Sequence, residues 1–226
     1  AWEHVAEEWP RSNLEYRLQL FDCLHASPTT TDIFYKYLPD QLAKTSDEDI
    51  VEFVFQITRK KHEYSERLLG CVKTSANRGN LKNIGERLFE KMNEGVSVKT
   101  DTTLIKTCAE WCQHPNTQGD KLMLSLSSGG TDEREALAMS LEGYLSSSKS
   151  DSGFTNTIVR NMAEELIPST SPDKLVNIAQ GLRNAGLASH DAVTSKMDEL
   201  KTLRNGDEAQ QKLWEQVFHV TFEKLA

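Results

Sequence analysis

Apolar residues recur along this chain at helical spacing, and short polar or glycine-containing breaks interrupt them. Trp2, Val5, Ala6 and Trp9 follow i, i+3, i+4, i+7 spacing, one face of a helix that Pro10 stops. A second stripe, Leu14, Leu18 and Phe21, predicts a helix over 13–25 that Ser27-Pro28 breaks. The TTTD at 29–32 predicts a cap for a helix carrying Ile33, Phe34, Tyr37 and Leu38. Pro39 must kink or end that helix, because it lacks an amide donor and crowds the preceding turn. The same periodicity predicts helices over 47–60, 63–77, 80–94, 101–113, 119–127, 131–146, 154–167, 172–185, 190–204 and 207–225. Phe53-Val54-Phe55 is locally β-prone, but Ser46 and the acids Asp47, Glu48 and Asp49 open a helical frame around it. The breaks between helices are too short to act as interdomain linkers.

The stripes also align with one another. With Ser171 placed over Ser46 and Thr100, Leu175, Ile50 and Leu104 coincide, followed by Val176, Val51 and Ile105. Ala179, Val54 and Cys108 come next, then Leu182, Ile57 and Trp111. The second helix of each unit stays in phase through Val193, Leu68 and Leu122, then Met197, Val72 and Leu126. A helix with one apolar stripe cannot bury it alone; a hairpin buries part of it, and stacked hairpins bury the rest. A polar cap satisfies free amides at each restart, and Gly186 supplies a left-handed stop. The predicted fold class is therefore all-α, a right-handed, α-solenoid-like stack of helical hairpins with irregular repeats. It forms a single domain over 1–226, with its clearest units at 46–79, 100–130 and 171–206. An irregular helical bundle fits the same residues.

Composition narrows the function. Apolar residues make up 38% of the 226 and charged residues 27%, with a mean hydropathy of −0.54. That is lean for one compact globule and tolerable for hairpins that each bury one stripe. Twenty-six Lys and Arg against 34 Asp and Glu leave a net charge of −8. That balance disfavours a protein whose main work is gripping phosphates and suits docking on a basic protein surface. Four cysteines, Cys23, Cys71, Cys108 and Cys112, are too sparse for a secreted disulfide framework and point to a reducing compartment. No apolar run approaches the ~18 residues of a membrane span. The chain opens on Ala1 without methionine, which fits either a removed targeting segment or a trimmed start.

The stretch SPDKLVNIAQGLRNAGL carries a further signal. Its Ser171, Pro172, Leu175, Asn177, Ile178, Ala179, Leu182 and Gly186 resemble the helical-hairpin repeats of organellar proteins. These are the heptatricopeptide and octotricopeptide classes, pentatricopeptide-like in architecture. The resemblance covers that unit well and the units at 46 and 100 loosely. It implies a mitochondrial setting, with a cytoplasmic one as the fallback. It also implies either RNA binding on a concave face or an accessory role in an assembly such as a mitoribosome or ATP synthase. The acidic balance and irregular repeats depart from the RNA-binding pattern. The leading expectation is thus a noncatalytic scaffold that docks on protein subunits, and the alternative is an organellar RNA-binding repeat protein.

Candidate chemistry is sparse. Cys108 and Cys112 stand one helical turn apart in CAEWCQH with His114, but a structural zinc site wants a second paired cluster, so buried thiols are expected and no cofactor. Arg59, Lys60, Lys61 and His62 form the densest basic run; it lies where a helix should end and complements the dipole there. If RNA binds, Arg59, Lys60, Lys61, Arg78, Lys82 and Arg87 are the residues to hold it. The histidines are scattered, and no GxSxG, Walker A or GxGxxG sequence occurs, so no enzyme is expected. The predicted helix at 207–225 carries a wide face, Leu213, Val217 and Val220 beside Trp214, Phe218, Phe222 and Leu225. It reads as a cap over the last repeat or as an anchor for a partner groove. Trp214, Phe218 and Phe222, with Trp2 and Trp9 at the other end, are the partner-binding candidates.

Overall fold

The computed structural model describes residues 2–75, 78–95, 101–112, 117–147, 152–167 and 170–202, apart from the side chains of residues 2, 3, 62, 78, 79, 147, 172 and 200–202. Every regular element among them is helical. In order these are α1 (Trp2–Glu8), α2 (Leu14–Leu24), α3 (Pro28–Leu42), α4 (Asp47–Lys60), α5 (Ser65–Ser75) and α6 (Arg78–Glu94). There follow α7 (Thr102–Cys112), α8 (Thr117–Ser127), α9 (Thr131–Ser147), α10 (Ser152–Ala163), α11 (Pro172–Asn184) and α12 (Asp191–Thr202). Short 3-10 turns occupy Trp9–Arg11 and His62–Tyr64.

The helix ends show why the chain breaks where it does. Asn13 caps α2 by accepting the Tyr16 amide at 2.9 Å, and Ser46 caps α4 by accepting that of Asp49 at 3.3 Å. Ser27, not TTTD, caps α3, with Pro28 in the first turn where its missing donor costs nothing. Thr100 lies outside the described residues, and Asp101 caps α7. At the end of α11, Gly186 adopts φ +74°, and two amides fold back: Gly186 to the Arg183 carbonyl and Leu187 to that of Leu182, both at 2.9 Å.

Pro39 neither ends nor interrupts α3, which runs on to Leu42. A proline there leaves the carbonyl four residues back, that of Tyr35, without its helical donor. The Cys71 thiol of α5 donates to it at 3.6 Å, so the next hairpin fills the vacancy. Burial pushes that thiol up to about 11, which keeps it protonated and able to donate.

The chain forms two compact units, Ala1–Cys112 and Gln113–Ala226. In the first, α2, α4 and α6 pack side by side in one row and α3, α5 and α7 in a second, with α2/α3, α4/α5 and α6/α7 closing hairpins between rows. Polar contacts stitch each row. Along the first run Trp9–Thr45, Arg17–Asp49, Asp22–Lys61, Asp47–Asn83 and Glu48–Arg87. Along the second run Asp32–Arg67, Tyr35–Cys71 and Ser65–Asp101. The partners are separated by 32 to 39 residues, and their order shows that row neighbours run parallel. In the second unit α9 packs on α11, and α10 packs between α8 and α12. Asp132–Lys174 and Glu135–Asn177 cross the first seam, and Ser127–Asn161 crosses from α8 to α10.

The aligned stripes are the core. Ile50, Leu104 and Leu175 are buried, as are Val54, Cys108 and Ala179 and Ile57, Trp111 and Leu182; Val176 alone of the aligned set is half-buried. Gly70 tells the opposite story: it is exposed on α5, and a methyl built there meets no atom within 4 Å. Gly70→Ala is expected to stabilise the protein by about 0.5–1 kcal/mol through helix propensity alone. The check is a higher urea midpoint at an unchanged m-value.

Candidate functional site

Charged side chains converge on the seam between α4 and α6. Glu48 and Glu52 stand one turn apart on α4; Arg87 and Lys91 stand one turn apart on α6. Because the two helices run parallel, both pairs meet at once, Arg87 on Glu48 at 2.6 Å and Lys91 on Glu52 at 3.0 Å. A second pair on α6, Glu90 and Glu94, faces the same groove. These six residues and Val51 line a groove of about 440 Å³. Four carboxylates against two cations leave it with two negative charges in excess.

The electrostatics follow from the bonding. The Glu52 carboxyl is held below its ordinary value first by the Gln56 amide and then by Lys91. That of Glu48 is lowered by its own backbone amide in the first turn of α4 and by Arg87. Lys91 is raised, chiefly by its hydrogen bond to Glu52, with Glu94 and Glu90 adding to the effect. Glu48, Glu52 and Lys91 are therefore each held in their charged form near neutral pH. Glu90 and Glu94 are exposed and enter no ion pair among the described residues.

Three of the basic candidates, Lys61, Lys82 and Arg87, lie against carboxylates. Arg59 and Lys60 occupy the exposed last turn of α4. Lys61 bonds Asp22 at 3.1 Å and lies over the rings of Phe21 and Tyr64. Lys82 approaches Glu86 at 3.8 Å on the same helix, and Arg87 is committed to Glu48. Arg78 opens α6, its side chain outside the described set.

Trp9 is core rather than an open anchor. It is fully buried, sits edge-on to Phe53 at 5.4 Å between centroids, and donates its indole N–H to Thr45 Oγ1 at 3.0 Å. The buried Arg17 guanidinium lies over the same ring and reaches Asp49 at 3.0 Å. The Trp2 side chain and all of Trp214, Phe218 and Phe222 lie outside the described residues, as does the helix predicted at 207–225. Cys108 and Cys112 are both buried, and burial drives the Cys108 thiol well above its ordinary value. His114 lies outside the described residues.

The groove itself was hidden from pattern reading. Each i, i+4 pair is visible in the sequence, but nothing local says that Glu48 and Arg87 are neighbours. No protein-family model, curated protein or solved structure matches the chain.

Proposed function

We propose that this protein is a noncatalytic scaffold: a stack of helical hairpins, right-handed and solenoid-like, that docks as an accessory subunit on a larger protein assembly. One observation carries the reading. Parallel row neighbours are tied at residues 32 to 39 apart, seam after seam, which is the spacing of a helix hairpin repeated. Such rows build broad, modular surfaces, and the α4–α6 groove gives one of them a negative excess suited to a basic protein segment. The mitochondrial setting, and an assembly such as ATP synthase or a mitoribosome, rest on the resemblance of Ser171–Gly186 alone. The neutralised Lys61 and Arg87 weaken the case for RNA.

Tagged protein purified at low salt and weighed by native mass spectrometry should carry defined protein partners in fixed stoichiometry. The double change Glu90→Lys/Glu94→Lys reverses the free charges and leaves both interhelical bridges in place. It should lower partner retention about tenfold, equivalent to about 1.4 kcal/mol. A free monomer, or RNA retained with a steep salt dependence, would overturn the scaffold reading.

A further inference from the structure

The α2–α3 corner holds an imidazole wired to three elements. His25 follows the last turn of α2 and stacks on Phe21, with centroids 3.8 Å apart and planes at 29°. The ring edges of Phe34 and Tyr35 from α3, and of Tyr64 from the turn before α5, close around it at 4.4 to 5.6 Å. Both ring nitrogens are engaged. Nδ1 lies 2.7 Å from the Phe21 carbonyl, which can only accept, so Nδ1 carries the proton. Nε2 then accepts from the Tyr35 hydroxyl at 3.1 Å.

The charges facing this ring come from every neighbouring element. Lys61, at the end of α4, and Arg67, on α5, are the cations; Asp22 on α2 is the nearby anion and is already paired with Lys61. Arg67 lies 4.3 Å from the centre of the Tyr35 ring and pairs with Asp32 of α3. Cys71 stays neutral near pH 7 because burial raises it.

We propose that His25 is an acid-sensitive clasp that, when neutral, ties α2 to α3 and holds that hairpin against Tyr64 in the turn before α5, and that loosens when protonated. A second proton on Nε2 removes the acceptor that Tyr35 uses. Its hydroxyl must turn, leaving its hydrogen among aromatic rings, and a third cation joins Lys61 and Arg67. Burial is the largest influence holding His25 below its ordinary value, with Lys61 and Arg67 adding to it and the Phe21 carbonyl and Asp22 opposing. The folded protein thus binds fewer protons at this site than the unfolded chain. The clasp is complete above the unfolded value of about 6.5 and is lost as pH falls below it.

Hydrogen exchange, corrected for intrinsic rates, tests this between pH 7.5 and 5.5. Protection of peptides from 14–42 should fall severalfold, on the order of five times, while peptides from 131–147 hold theirs. His25→Gln keeps a donor and an acceptor but cannot titrate, so its 14–42 protection should be flat with pH. Nitrogen-15 shifts of wild-type His25 provide a reading that needs no variant, and should show the Nδ1–H tautomer at pH 7.5. An equal fall in His25→Gln, or a His25 titrating at or above the unfolded value in the folded protein, would overturn the proposal.

Discussion

Asp101→Ala is expected to destabilise the first unit by about 2–3 kcal/mol. The Asp101 carboxylate is 6% exposed and serves two helices at once. One oxygen accepts the Leu104 amide at 3.0 Å and caps α7; the other accepts the Ser65 hydroxyl at 2.7 Å, at the start of α5 in the same row. Loss of the cap costs about 1 kcal/mol, and an orphaned buried hydroxyl costs about 1–3. Removing a desolvated charge returns part of that sum. Asp101→Asn separates the contributions: its carbonyl can still cap α7 and its amide can donate to Ser65, so the loss should shrink to about 1 kcal/mol. Urea unfolding followed by hydrogen exchange of 102–112 reads both. An Asp101→Ala protein as stable as the wild type would show that the bond to Ser65 joins nothing of consequence.

That residue also shows where the sequence speaks and where it falls silent. Helical spacing located the elements because each buries a single stripe, and a stripe is a local property. Caps were harder: Ser46 reads correctly, but the cap of α7 falls to Asp101, one residue past Thr100, since several small polar residues compete at a helix start. Pro39 reads as a kink or a stop because the local rule omits a donor arriving from another hairpin, the Cys71 thiol. The alignment of Ser46 over Thr100 matched stripe to stripe, yet α4 and α7 lie in different rows. The 54 residues between those starts equal about one and a half of the 36-residue steps seen at Trp9–Thr45 and Asp47–Asn83. Any two buried helices share a stripe, so apolar matching cannot tell first helices from second. Polar pairs across seams can, and they become legible only once the helices are side by side. The α4–α6 groove is illegible in the sequence for that reason, and Trp9 reads as an anchor candidate because its periodicity is the same whether the ring faces Phe53 or a partner.

Gly181→Ala should cost the second unit about 2 kcal/mol, against the sign that helix propensity assigns. A methyl added to an α-helix interior ordinarily stabilises it by up to about 1 kcal/mol. At Gly181 of α11 the added carbon would lie 2.6 Å from both the carbonyl carbon and the Cβ of Ala138 on α9, and nearer still to that carbonyl's oxygen. No rotamer relieves a contact with backbone, so the helices must separate, and overpacking of that kind costs about 1–3 kcal/mol. The strain cannot stay local. Asp132–Lys174 and Glu135–Asn177 cross the same seam in register with Ala138–Gly181, so pushing α11 outward stretches both polar contacts. Ala138→Gly removes only one of the three close atoms and should rescue Gly181→Ala by less than half. The comparison with Gly70→Ala makes the test one of sign: identical chemistry, one site open and one closed, midpoints moving in opposite directions. Two stabilised variants would mean that α9 and α11 approach less closely than this seam requires.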